Sequence, residues 1–224
     1  MIAGMAEISV IVDDDAARRA ADEIAARLRG AIAERGRASL AVSGGSTGLA
    51  LLAALTAADL SWDDVTIWQV DERVAPDGDA ARNANQLDGV PGRHVLMPVT
   101  ASDLGAAAAE YAAGLPDRFD VVHLGMGPDG HTASWPPGDP VAERDEPVAL
   151  SQPFQGRVRM TLTPAVVNRA RARIVLLHGS DKAAALRDWI EGTRAVPIAH
   201  LVGSNTIVIA DRAAAALLDA AGGR

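Results

Sequence analysis

Residues 119–134 read FDVVHLGMGPDGHTAS. The first six positions form a short apolar run, suited to a strand buried on both faces. The next six, GMGPDG, hold three glycines and a proline, through which neither helix nor strand continues. A buried strand that stops on a sharp glycine turn and then presents Asp129 and His131 is the pattern of an open α/β sheet, where strand ends carry the unusual residues.

The same pattern recurs on either side. Val65 to Val70 reads as a strand ending on Asp71-Glu72-Arg73, followed by a polar loop to about Leu87. Ser39 to Ser43 is apolar, breaks on Gly44-Gly45, and Thr47 opens an Ala/Leu-rich helix. Ile8 to Val12 reads as the first strand. Asp13 to Asp15 then cap a helix that has Ile24, Leu28 and Ile32 on one face. Further on, Leu104 to Gly114 is a helix pattern. Val158 to Leu162, Ile174 to Leu177 and Thr206 to Ile209 are strands, and helices follow Pro164, Ser180 and Asp211. The proline-rich stretch from Trp135 to Gly156, with a strand-like Val148-Ala-Leu150, reads as an excursion within one domain spanning residues 1–224. Short strands alternating with helices predict an α/β fold with a mostly parallel sheet.

Composition narrows the function. Of 224 residues, 49% are apolar and 22% charged, which excludes a disordered or fibrous chain. Twenty-nine acids against 21 bases give a net charge of −8, so no nucleic-acid or anionic-membrane partner is expected, although a local cationic cluster could still hold a small anion. Without cysteine there is no disulfide, thiol nucleophile or thiolate metal site. The opening MIAGMAEISVIVDDD lacks a basic flank and reads as a strand and helix cap rather than a signal peptide. No stretch approaches the roughly 20 apolar residues of a membrane span, and a cytoplasmic protein is expected.

Several stretches could carry chemistry, each beside a plainer reading. Ser43, Gly44, Gly45, Ser46 and Thr47 lie between strand and helix, where backbone N–H groups, hydroxyls and a helix N-terminus suit an anion; the alternative is a capped βα turn. Asp71 and Arg73 face the carboxyl edge of the sheet, or form a solvated strand end. His131 is the natural neutral-pH base with Asp129 to orient it, or it caps a helix starting near Thr132. His123, inside the strand, reads as a hydrogen-bonded residue of the sheet face. The two histidines match no standard metal-ligand spacing, so neither a metal nor a cofactor is expected. Arg157 and Arg159 share a face of one strand, and Lys182, the only lysine, sits one turn into a helix after a strand.

Taken together, these stretches resemble the 6-phosphogluconolactonase family. The matching pieces are SGGST at 43–47, VDER at 70–73, LGMGPDGHTAS at 124–134, RMTLT at 159–163, GSDKA at 179–183 and VIADRAA at 208–214, in family order across nearly the whole chain. The resemblance implies a Rossmann-like fold, its mostly parallel sheet covered by helices on both faces. It implies hydrolysis of 6-phospho-D-glucono-1,5-lactone to 6-phosphogluconate in the oxidative pentose phosphate pathway, with this phosphosugar lactone as the only partner required and a monomer compatible with it. By position, His131 matches the family's general base, Asp129 its neighbour, and Asp71 and Arg73 the acidic and basic site residues. The 43–47 loop, Arg159 and Lys182 match the phosphate-side elements. Two features depart from the family. Trp135-Pro-Pro-Gly stands where Leu-Phe-Pro-Gly is usual, and Ala81-Arg-Asn-Ala-Asn85 replaces a common Asp-Ser-Asn, which leaves Asn83 without an assigned role. The related glucosamine-6-phosphate deaminases resemble the chain in these loops, but carry tyrosine where Arg73 stands. Direct attack by a histidine-activated water is expected rather than an acyl-enzyme.

Overall fold

The apolar runs pair into two sheets in the computed structural model, which describes residues 8–192 and 195–218. The strands in chain order are β1 (Ser9–Val12), β2 (Ala38–Val42), β3 (Val65–Gln69), β4 (Asp71–Arg73), β5 (Arg93–Val95), β6 (Val121–Leu124), β7 (Val148–Leu150), β8 (Arg159–Leu162), β9 (Ala172–Leu177) and β10 (Thr206–Ala210). The α-helices are α1 (Ala16–Arg35), α2 (Gly45–Thr56), α3 (Leu104–Ala113), α4 (Pro164–Val167), α5 (Ala183–Glu191) and α6 (Arg212–Ala215).

The main sheet has seven strands in the order β1-β10-β9-β6-β2-β3-β5, and every pairing in it is parallel. Alternation along each strand divides its side chains between two cores. Leu40, Val42, Ile67, Val121, Ile174 and Ile209 pack under α1 and α2, against Ile24, Leu28, Leu51 and Leu55. Ala41, Trp68, Val122, Leu124, Val175 and Val208 face the other side, where α3, α5 and the short α4 and α6 cover them. Helices on both faces of a parallel sheet are thus observed as expected, and burial on both sides explains why the strands read as unbroken apolar runs.

The second sheet was legible only in part. At Val70 the chain leaves the parallel sheet, and β4 joins an antiparallel sheet in the order β4-β8-β7. In its register Asp71 lies opposite Thr161, and Arg73 opposite Arg159. The excursion from residue 135 to 156 therefore returns a strand, β7, to cover β8. Fully buried Trp135 anchors its start, its indole donating to the Leu162 carbonyl at 2.8 Å.

Other boundaries moved. β8 begins at Arg159, so Arg157 is not on that strand and does not share its face. α2 begins at Gly45 rather than Thr47, and Ser180–Lys182 is a 3₁₀ turn ahead of α5. The three-residue β5 had no apolar run to announce it. The first seven residues of the opening segment lie outside the described residues. Among those described, no helix is long and apolar enough to cross a membrane.

Candidate active site

A cleft of about 200 Å³ opens at the carboxyl ends of β2 and β6, beside β4 and β8. Every residue singled out from the sequence as a site residue lines it except Asp129, which stands behind His131.

β2 delivers the first wall. After Val42 the chain turns through Gly44, whose backbone caps α2 without any side-chain hydrogen bond to the helix N-terminus. Among the described residues, neither Ser43 nor Thr47 caps the first turn of α2 with its side chain, against the capped-turn reading. Ser43 is buried, and its hydroxyl has no partner among the described residues. Gly44 has to be glycine, because a Cβ there would overlap the side chain of Asn83.

β4 supplies the charges. Asp71 is buried and accepts from the Ser134 hydroxyl at 2.8 Å. Burial pushes its carboxyl above the ordinary 3.8, against the downward pull of Ser134, Arg73 and Arg159. Arg73 donates from Nη1 to the Ala81 carbonyl at 2.8 Å and to Asn83 Oδ1 at 2.6 Å. Asn83 donates to the Asp71 carbonyl at 2.9 Å, so its role is to tie the two β4 residues to one another. Glu72, fully buried between them, faces away from the cleft. Its Oε1 accepts from the backbone N–H groups of Arg73 and Asn83, each at 2.7 Å, and its Oε2 from Gln69 and Ala84, each at 2.8 Å. Arg82 completes this buried hub as an ion pair at 3.1 Å.

β6 delivers the histidine. The turn after Leu124 closes with Gly127 N–H donating to the His131 carbonyl at 2.8 Å. The imidazole lies directly over Gly127, where any Cβ would overlap it and Asp129. His131 Nδ1 is 2.5 Å from Asp129 Oδ1, and the His131 N–H donates to the same oxygen at 3.1 Å. Partial burial alone would raise the Asp129 carboxyl, but these bonds from the ring and backbone of His131 hold it below its ordinary 3.8. With Nδ1–H donating to Asp129, Nε2 keeps its lone pair for a proton from the cleft. No helix starts at Thr132; a tight turn joins it to Trp135, and Ala133 takes a left-handed φ of 50°. The capping reading of His131 is thereby excluded. Trp135 points into the core and forms no wall beside His131.

Arg159, at the start of β8, is buried, and its Nε has no partner among the described residues. Burial first, and then the neighbouring Arg73, push its guanidinium below its ordinary value. Lys182 reaches the cleft from the turn before α5, paired with Asp181 at 2.7 Å. An unpaired hydroxyl, an unpaired guanidinium nitrogen and an uncapped helix end around one cleft are the complement of an oxyanion-bearing ligand. Among the described residues, no group of three or more His, Asp or Glu side chains is placed to share a metal ion.

One expectation fails outright. His123 is fully buried, but neither ring nitrogen has a hydrogen-bond partner among the described residues, and burial pushes its imidazole down to about 3. Glu72 was readable in the motif but not taken up, since its role lies in backbone N–H groups eleven and twelve residues onward. Asn83 and Phe154 gave only the weak signal of a polar and an aromatic residue in loops.

The chain is similar to known proteins in sequence and in fold. The family model for glucosamine-6-phosphate isomerases/6-phosphogluconolactonase matches residues 12–209. A 6-phosphogluconolactonase of Rhizobium meliloti is 39% identical over 180 residues, covering 72% of this chain and 77% of its own. One from Streptomyces coelicolor is 34% identical and covers 90% of both chains. The crystal structure of a 6-phosphogluconolactonase from Shewanella baltica superposes with a TM-score of 0.81 at 29% identity, over 93% of this chain and 99% of that one. On both sequence and fold, the chain belongs to the 6-phosphogluconolactonase family.

Proposed function

We propose that the chain hydrolyses 6-phospho-D-glucono-1,5-lactone to 6-phosphogluconate, with water activated by His131 and the phosphate held by the 43–47 loop, Arg159 and Lys182. The observation that carries the reading is the His131–Asp129 pair at 2.5 Å, with the free imidazole nitrogen on a cleft rimmed by cationic side chains and an uncapped helix end. Family membership supports the substrate and the assignment as a hydrolase.

The chemistry is simple. His131 Nε2 removes a proton as the water oxygen bonds to C1, and the carbonyl electrons move onto oxygen. Collapse of the tetrahedral intermediate breaks the bond from C1 to the ring oxygen, which takes the proton from the imidazolium and becomes the C5 hydroxyl. The new carboxylic acid ionises, so each turnover releases one proton. A lactone is already an activated ester. General-base catalysis worth roughly 10²–10⁴-fold supplies much of the acceleration. Fixing the phosphate so that C1 faces His131 supplies the rest. Asp71, next to Arg73 and Arg159, keeps the two cations balanced on the reacting side.

The test is proton release from freshly prepared lactone, measured above spontaneous hydrolysis with and without chelator, beside ammonia release from glucosamine 6-phosphate. Chelator-insensitive lactone hydrolysis without ammonia is the expected result. Ammonia release, or a rate no greater than background, would overturn the assignment.

A further inference from the structure

We propose that Phe154 is a positioning residue of this site, an aromatic ring on a hairpin tip that holds the His131 imidazole and the Arg159 guanidinium in register. Its kinetic consequences rest on the lactonase reading; its geometry does not.

The ring touches both groups. It meets the His131 ring edge to face, with centroids 5.1 Å apart and planes at 70°, and the Arg159 guanidinium carbon sits 4.9 Å from the Phe154 centroid. The segment that carries it is a tight hairpin. Phe154 N–H donates to the Arg157 carbonyl at 2.9 Å, and Arg157 N–H returns a bond at 3.2 Å. Gln155 and Gly156 between them have φ of 51° and 79°, the two left-handed residues that a type I′ turn demands. A left-handed glutamine is uncommon, and its side chain explains why it is held there: Gln155 Oε1 accepts from Arg159 Nη2 at 2.8 Å. Arg157 fastens the hairpin to Asp79 at 3.1 Å, in the loop whose Ala81 carbonyl receives Arg73. The tip is thus braced by both cationic strands of the site.

Neither client is fixed without this ring. Among the described residues, the only side-chain bond to His131 is the one at Nδ1, about which an imidazole can rock, and Arg159 has an Nε without a partner beside its one side-chain bond, to Gln155. An aromatic ring packed on the imidazole removes that freedom on one side, and its face attracts the guanidinium without occupying any donor that a phosphate needs. One residue therefore acts on the base and on the anion grip together.

The experiment compares Phe154→Ala, Phe154→Leu and Phe154→Tyr by lactone hydrolysis, and by the rate at which diethyl pyrocarbonate modifies His131, mapped by mass spectrometry. Loss of the ring should lower kcat/KM about tenfold, divided between a fall in kcat through His131 and a rise in KM through Arg159. Tyrosine should restore both and leucine only the kcat component, a pattern that general loosening of the loop would not give. His131 should be modified several-fold faster in the alanine variant. Kinetic constants within twofold of the parent, leucine equal to tyrosine, or an unchanged modification rate would each overturn the proposal. If the parent chain lacks lactonase activity, the function falls by that result, and the modification rate alone decides the role of Phe154.

Discussion

Glu72 is the strongest test of how the site is built, because it does not line the cleft and yet holds the backbone of two residues that do. Glu72→Gln conserves shape while replacing one acceptor oxygen with an N–H₂ group. Each carboxylate oxygen serves two N–H donors, so whichever way the amide turns, one pair of buried donors faces another donor. Buried donors without an acceptor cost about 1–3 kcal/mol each. Arg82, with a side chain 5% exposed, also loses its buried partner and keeps only the exposed Asp77 at 2.9 Å, and breaking a buried pair costs about 3–5 kcal/mol. These contributions overlap, and a net loss of about 3–5 kcal/mol is expected, a large share of the roughly 5–15 kcal/mol that stabilises a typical domain. With a urea m-value near the upper end of about 1–3 kcal/mol/M, the unfolding midpoint should fall by about 1 M or more. The 82–84 segment would loosen with it, and since Asn83 receives Arg73, kcat/KM should fall as well. A stability change below about 1 kcal/mol, with activity intact, would show that the hub does not hold the loop.

Replacing His131 by alanine should lower kcat by roughly 10²–10⁴-fold with little change in product affinity, and Asp129→Asn should have a smaller effect by releasing the ring; turnover close to that of the parent in saturating lactone would remove His131 from the mechanism. Asp71→Asn should lose activity but gain stability. The native carboxyl binds its proton more tightly than the unfolded one, so the parent loses stability as pH rises from the ordinary 3.8 through the raised native value, and the variant's advantage should widen over that window in urea titrations at several pH values. An advantage independent of pH would refute that reading. His123→Leu removes two buried nitrogens that lack partners among the described residues and should raise stability by about 1–3 kcal/mol with lactone hydrolysis unchanged, whereas a lower unfolding midpoint would mean that the ring is satisfied after all.

The parallel sheet was legible because its strands are buried on both faces and announce themselves as apolar runs that end on glycine or charge. β6, β9 and β10 needed no more than that. The antiparallel sheet was legible only in part: Val148–Leu150 and Val158–Leu162 read as strands, but β4 is the charged triplet Asp71-Glu72-Arg73, and pairing partners distant in sequence decide that the three form one sheet. The residues at strand ends that line the cleft were legible by type and position. Those acting through others, Glu72 on backbone N–H groups and Phe154 on two side chains, carry no local signal, because their meaning lies in contacts that only the closed fold creates. His123 shows the opposite failure, a polar residue in a strand assumed to have found a partner that the packing does not provide.

The register that sets Arg73 directly across from Arg159 has a thermodynamic side. Like charges opposed across a strand pair oppose folding, and beside Asp71, which offsets part of that repulsion, this pairing works against the fold. An anion bound between them removes that repulsion, and it binds only the folded form. By mass action a hundredfold excess of ligand over its dissociation constant adds about 2.7 kcal/mol to the resistance to unfolding. Proteases act mainly on opened chains, so a well-supplied protein would outlast a starved one. The metabolite would then set the lifetime of its own catalyst, with no dedicated regulator, through two arginines on neighbouring strands.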